Sequence, residues 1–176
     1  VGETLDDWAT TLDAAIALEP LHISAYGLTV EAGTPLAADP DRHPDDDVQA
    51  DEYELADERL TAAGLVNYEV SNWAVPGHEC RHNHLYWDQH DYLGFGCAAH
   101  SHRDGRRWWN LRTPERYLEA VRAGRSTEAA GETLDTATRR TEGLQLAVRT
   151  RRGIPVEEMP AGLDELFEGD GERVHL

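Results

Sequence analysis

Between Gly77 and His102 the chain reads GHECRHNHLYWDQHDYLGFGCAAHSH. That stretch gathers six of the nine histidines (His78, His82, His84, His90, His100 and His102) and both cysteines, Cys80 and Cys97. Tyr86, Trp87, Tyr92 and Phe95 are interleaved with them, and Gly94 and Gly96 form a Gly-x-Gly. Imidazole, thiol and flat aromatic surface are the groups with which proteins hold a metal ion or a metallated ring.

The residue types leave three readings open. His78, Cys80, His82 and His84 recur every second residue, so on a strand all four face one way. Zinc or copper(I) accepts such donors. Four ligands on one straight strand cannot close a tetrahedron, however, and the spacing matches no common structural zinc pattern. In the second reading, His82-Asn83-His84-Leu85-Tyr86-Trp87 sets an imidazole beside two aromatic rings. Porphyrin iron needs an axial donor, and the macrocycle needs flat apolar surface. In the third, the histidines hydrogen-bond backbone carbonyls around a tight loop, His90 and His102 foremost, and Trp87 is core. Cys97, among small residues, reads as a buried packing thiol. No cysteine–histidine nucleophile with an orienting third group is recognisable. Leu93 to Ala99 places small residues where a backbone must approach something closely. It is a weak dinucleotide fingerprint, lacking a third glycine and a following helix, but it suits one wall of a nucleoside pocket.

The elements that must position this stretch follow from the flanking periodicities. Thr4 and Asp7 resemble a capping box, and Leu5, Trp8, Leu12 and Ile16 then recur at helical spacing. His22 to Val30 reads as a strand buried on both faces, as in a parallel sheet, with Leu28 to Glu31 near a ligand at its carboxyl end. Asp45 or Asp46 caps a helix with the apolar line Tyr53, Ala56, Leu60 and Ala63, stopped by Gly64. Val66, Tyr68 and Val70 alternate as a second strand, and Pro76-Gly77 turns into the histidine-rich stretch. Beyond it come a strand over 107–111 carrying Trp108 and Trp109, and a helix started by Thr113-Pro114 with the apolar line Tyr117, Leu118 and Val121. After a charged linker, helices are expected over 136–151 and 154–167, then a strand from Arg173. That order is winged-helix-like, cut before the wing closes.

A chain of 176 residues with 40% hydrophobic content can build a real core. Its formal charge of −18 repels nucleic-acid phosphates and anionic lipid, so no nucleic-acid partner is expected. Ten carboxylates lie between Asp39 and Glu58, the pattern of a solvated helix face. Two cysteines without a signal peptide point to a reducing, cytoplasmic setting. No apolar run approaches the roughly 18 residues that span a bilayer. The sequence opens inside a helix-entry pattern and closes on a strand just begun, so an excerpt of a longer protein is expected.

HISAYGLTVEAGTPL and YEVSNWAVPGHECRHNHLYWDQHDYLGFGCAAHS resemble the second half of the HemW-like heme chaperones. These are radical-SAM proteins related to the oxygen-independent coproporphyrinogen III oxidases. The resemblance is strongest between Tyr68 and Ser101, and its HNxxYW signature stands intact as His82, Asn83, Tyr86 and Trp87. It implies an α/β fold: the second half of a partial (β/α) barrel over residues 1–111, then a small α+β, winged-helix-like C-terminal domain over 112–176. It implies heme bound at His82, Asn83, Tyr86 and Trp87, with His82 as the metal ligand, and S-adenosylmethionine contacts at Thr29 and His100. The family's [4Fe–4S] cluster is held by a Cys-x3-Cys-x2-Cys motif that this sequence lacks, so this chain alone is not expected to be catalytic. The implied partners are heme and heme-accepting proteins, with weak membrane-protein association and a homo-oligomer. The alternative is oxidative decarboxylation of coproporphyrinogen III in porphyrin biosynthesis. Without the other half of such a barrel, an open sheet edge and apolar interior are exposed. Light scattering is therefore expected to show self-association of the isolated chain; a monodisperse, cooperatively melting monomer contradicts this.

Overall fold

The computed structural model describes residues 2–159, 168–169 and 172–175. Two compact units divide the chain, Val1–Cys80 and Arg81–Leu176, and each is considered by itself.

The first unit is built from helix α1 (Leu5–Ile16), strand β1 (His22–Ser24), helix α2 (Asp46–Ala62), and strands β2 (Val66–Glu69) and β3 (Asn72–Ala74). The capping box forms: Thr4 Oγ1 accepts from the Asp7 amide at 3.2 Å and Asp7 Oδ2 accepts from the Thr4 amide at 3.2 Å. A side-chain hydrogen bond from the Thr4 hydroxyl holds the Asp7 carboxyl below its ordinary pKa. Asp45, rather than Asp46, caps α2, accepting from the amides of Asp47 and Val48. The helix stops at Gly64, whose φ of +87° suits glycine.

The sheet order is β1-β3-β2, and both pairings are antiparallel. The parallel strand expected over 22–30 is therefore only three residues long and runs opposite to its neighbour. Leu28 to Glu31 belongs to an irregular segment rather than to a strand end. Leu12, Ala56, Leu60, Leu65 and Trp73 form the core, with Leu60 and Trp73 fully buried. Both indoles are pinned to α2: Trp8 Nε1 donates to the Glu52 carbonyl and Trp73 Nε1 to Asp57 Oδ1, each at 2.8 Å.

Strand β2 turns a different face inward from the one its alternation suggests. Val66 and Val70 are exposed, whereas Asn67, Tyr68 and Glu69 are buried. A break in register between Asn67 and Glu69 sets both sides of the strand inward. The buried polar groups pair locally. Glu69 Oε1 accepts from the Ser71 amide at 2.9 Å and from the Asn72 amide group, and Asn67 Nδ2 donates to the Glu69 carbonyl at 2.7 Å.

The second unit holds α3 (Arg81–Trp87), β4 (His100–Arg103), β5 (Arg106–Asn110), α4 (Pro114–Arg122), β6 (Glu128–Thr133), α5 (Thr136–Ala147), β7 (Ile154–Pro155), β8 (Glu168–Gly169) and β9 (Arg173–His175). The β4–β5 hairpin turns on Asp104-Gly105, both at positive φ as a type I′ turn requires. The expected charged linker contains β6, an exposed edge strand paired with β5. Arg107 ties this sheet to α5, donating to Glu132 at 2.6 Å and Glu142 at 2.9 Å. The hydrogen bond to Glu132 is the main cause holding its guanidinium above its ordinary pKa.

Thr113 and Pro114 start α4 as expected, but the face it buries is Ala120, and Leu118 and Val121 are exposed. In the C-terminal sheet, β9 pairs with both β7 and β8, so the strand at Arg173 is already partnered on two sides. The helix expected over 154–167 begins instead as a short strand and a 3₁₀ turn, and its remainder lies outside the described residues. Among the described residues, no helix is long and apolar enough to cross a membrane.

Leu60 sits where helix and sheet of the first unit meet. Leu60→Ala is expected to destabilise that unit by about 2–5 kcal/mol in chemical denaturation, through lost burial and a cavity that cannot collapse.

Candidate functional site

The dense stretch does not run as a strand. Arg81–Trp87 is a helix, so the every-second-residue pattern of His78, Cys80, His82 and His84 does not put four donors on one face. Among the described residues, no group of three or more His, Cys, Asp or Glu side chains is placed to hold a metal ion. Helical spacing instead pairs residues four apart. His82 shares a line with Tyr86, and Asn83 shares another with Trp87.

The two lines have different fates. Tyr86 Oη lies 3.2 Å from His82 Nε2, and the rings meet edge to face with centroids 4.8 Å apart. Both residues are exposed. Trp87 is buried at 9% exposure and meets the His84 ring edge to face at 5.3 Å. Trp87 is thus core, and Asn83 beside it is half-buried. Of the two aromatic rings read beside the imidazole, Tyr86 is the one on its face of the helix.

Helix α3 ends on a Schellman closure. His90 N–H donates to the Leu85 carbonyl at 2.8 Å and Gln89 N–H to the Tyr86 carbonyl at 3.1 Å, with Gln89 at φ +51°. The chain then returns to β4. Tyr92 and His102 exchange backbone hydrogen bonds at 2.9 and 3.0 Å, and Tyr92 packs its ring against Tyr86 at 4.5 Å. His102, 6% exposed, uses Nδ1 on the His90 carbonyl at 3.0 Å. This histidine holds its loop, as the packing reading expected. His90 is exposed and contributes its carbonyl to that bond.

In the Gly-x-Gly, Gly94 is needed for close approach to its own sheet and Gly96 for its positive φ. A Cβ on Gly94 would lie 2.1 Å from the His100 carbonyl oxygen. Gly94 N–H donates to Ser101 Oγ at 2.9 Å, and buried Asn110 donates to the Gly96 carbonyl at 2.9 Å. Asn110 clamps the loop to β5, a role the sequence reading missed. Its position at the end of a strand facing a glycine pair was the available signal. Clamped in this way, the loop exposes Phe95 at 84%. Cys97 is exposed as well, not the buried thiol expected, because Gly96 and Ala98 both turn at positive φ and carry it outward.

These pieces enclose a cleft of ≈ 450 Å³ lined by His82, Tyr86, Tyr92, Leu93, Gly94, Phe95, Ala99 and His100. That falls in the usual range for small-molecule sites, about 300–1,000 Å³, and the lining is mostly flat or apolar with two exposed imidazoles, His82 and His100, and two phenols. The same two tyrosines line a smaller cavity of ≈ 230 Å³ with His102, Arg107 and Glu142. Burial pushes the Tyr92 hydroxyl above the usual tyrosine pKa. His100 lies in the first cleft, its ring stacked on Trp109 at 5.6 Å. Thr29 is an exposed residue of the first unit.

No family model matches the chain. It is 45% identical over 172 residues to the heme chaperone HemW of Mycobacterium tuberculosis, covering 95% of this chain and 44% of that protein. The chain belongs to the HemW family. It is 34% identical to HemW of Synechocystis sp. over 90% of this chain and 40% of the relative, and 40% identical to HemW of Escherichia coli over 72% and 36%. The match falls in the C-terminal region of HemW, and the chain spans less than half the length of these relatives. A solved structure of coproporphyrinogen III oxidase HemN from Escherichia coli, a radical SAM enzyme, shares the fold. Its TM-score is 0.73 at 14% identity, over 99% of this chain and 48% of that one. A cysteine-ligated iron–sulfur cluster does not fit the residues present. Cys80 and Cys97 are the two cysteines of this sequence, half-buried and exposed.

Gly94→Ala is expected to lift the loop off β4, costing about 1–3 kcal/mol of stability in a denaturant melt and exposing Ser101 to amide-exchange and proteolytic attack nearby.

Proposed function

We propose that this region of a HemW-type protein binds heme and passes it to acceptor proteins. The observation that supports it most directly is the exposed His82–Tyr86 pair at the edge of an aromatic cleft. An imidazole sealed in the core could not meet an iron porphyrin; this one opens onto a cavity. The names of the relatives, heme chaperones, point the same way. His82 is the metal ligand of this reading. Tyr86 and the exposed Phe95 supply flat surface, and Asn83 and Trp87 set the helix in place from its buried side. Arg81, exposed at the start of α3, is the cation we assign to a propionate.

Within the same proposal, residues 1–111 correspond to the later part of the radical-SAM barrel and 112–176 to the C-terminal domain. Thr29 and His100 contact S-adenosylmethionine in the whole protein, whose cluster is held elsewhere. The protein works in the cytoplasm, and its acceptors include heme proteins at membranes. Oxidative decarboxylation of coproporphyrinogen III is the weaker reading, since the relatives at 34–45% identity are named heme chaperones whereas the oxidase shares the fold at 14% identity.

Titration of reduced, ferrous heme followed in the Soret band tests the ligand. His82→Ala is expected to weaken binding at least about tenfold, as loss of a metal-site donor does. An affinity and spectrum equal to those of the parent chain would remove His82 from the role.

A further inference from the structure

The first unit holds a pocket of its own, none of whose lining residues belongs to the histidine-rich stretch. Its volume is ≈ 230 Å³, and Trp8, Tyr26, Tyr53 and Trp73 line it together with Glu3 and Glu52. Trp8 and Trp73 both give their indole N–H to α2, so these two rings offer the pocket π-rich carbon and no donor. Gln49 adds an acceptor. Its Nε2 is tied to the Leu28 carbonyl at 3.0 Å, and its Oε1 is turned toward Gly27, 3.1 Å from where a Cβ would stand there.

The lining is one-sided in charge. None of the described residues around the pocket is cationic, and among the described residues neither carboxylate has an ion-pair or hydrogen-bond partner. Glu52 is half-buried, so its carboxylate has given up part of its water without regaining donors from the protein. The helices that supply Trp8 and Glu52 both open with acid, Asp6 and Asp7 on α1 and Asp46 and Asp47 on α2, which draws cations toward this end of the unit. Arg42 and His43 line an adjoining cavity of ≈ 420 Å³ that shares Glu3, Gln49 and Glu52, but they do not line this pocket.

We propose that this pocket binds a primary alkylammonium group, with Glu52 as its counter-ion and the aromatic rings around its alkyl stem. The reading is independent of the heme proposal. Aromatic rings attract a cation through their π-systems, and three acceptors, Glu3, Gln49 Oε1 and Glu52, match the three N–H donors of an –NH₃⁺ group. Other ligand classes fit less well. An anion meets two carboxylates and no cation. A metal ion needs more donors than two carboxylates, and among the described residues no group of three is placed to supply them. A quaternary ammonium suits the rings but leaves all three acceptors unpaired. The volume lies below the range of about 300–1,000 Å³ typical of drug-sized ligands, so the bound group has few heavy atoms. A free amine and the side chain of a partner's lysine share this chemistry.

The experiment is ¹H–¹⁵N NMR of the ¹⁵N-labelled chain titrated with n-butylammonium chloride, with tetramethylammonium chloride and n-butanol as matched controls. Butylammonium is expected to shift the indole N–H signals of Trp8 and Trp73 and the Gln49 amide saturably. Tetramethylammonium, which cannot donate, is expected to bind at least about tenfold more weakly, and uncharged butanol not to bind. Glu52→Gln keeps the backbone carbonyl that accepts from Trp8 and is expected to weaken butylammonium at least about tenfold. Tyr26→Ala removes a ring that is 70% exposed and carries little of the fold; a loss of about 2- to 5-fold is expected. A lysine blocked at both its α-amino and carboxyl groups, added in a further arm, separates the sources: tighter binding than butylammonium assigns the pocket to a protein side chain, weaker binding to a free amine. Equal affinity for butylammonium and tetramethylammonium, an affinity unchanged in Glu52→Gln, or non-saturating shifts spread along acid-rich α2 would each overturn the proposal.

Discussion

The site depends on one consequence of helical geometry: residues four apart share a face and neighbouring residues do not. In RHNHLYW this sends His82 and Tyr86 outward as a hydrogen-bonded pair and Trp87 inward as an anchor. A strand would have placed His82, His84 and Tyr86 together and turned Trp87 to the other side. The short helix therefore decides which imidazole is available for chemistry. Seven residues are too few to be stable on propensity alone. The buried indole and the closure at Gln89 hold this turn of helix. Gln89 reaches α5 with a 2.9 Å bond to the Arg139 carbonyl, which offsets the cost of its left-handed backbone.

The rest of the cleft is assembled from a sheet that has little apolar content of its own. Strand β6 is exposed along its length, so its place is fixed by backbone pairing and by charge. Arg106 meets Glu128 at 2.5 Å, and Arg107 bridges Glu132 and Glu142. Exposed ion pairs of this kind are each worth little. Their effect here is to register the hairpin so that Asn110 faces Gly94 and Gly96. That clamp in turn presents Phe95 to solvent opposite the His82–Tyr86 pair.

Much of this was legible in the sequence, and the misses have physical causes. The density of ring and sulfur side chains marked the stretch that lines the cleft. Thr4-Asp7, Asp45, Gly64 and Thr113-Pro114 marked helix ends, because caps act locally. The helix bearing His82 was not legible, since a seven-residue segment with four polar or charged positions has no clear apolar period. Strand β6 was missed for a related reason: EAAGET has no buried side to reveal it. The Asp104-Gly105 turn was a readable hairpin signal that was passed over. At β2, alternation pointed to Val66 and Val70, but the broken register turned Asn67 and Glu69 inward with their own partners. On α4 the small Ala120 takes the buried face while larger Leu118 and Val121 face out, which the apolar line Tyr117, Leu118 and Val121 did not reveal.

What joins these observations is an imidazole and a phenol held together at the mouth of an aromatic cleft. The most direct test is NMR of the chain with ¹⁵N-labelled histidine rings, titrated with gallium protoporphyrin, a diamagnetic analogue of ferric heme. The account predicts that the His82 ring nitrogens and the Tyr86 and Phe95 ring signals shift together, while those of His102 stay where they are. Saturable porphyrin binding that leaves His82 and Tyr86 unmoved would contradict it.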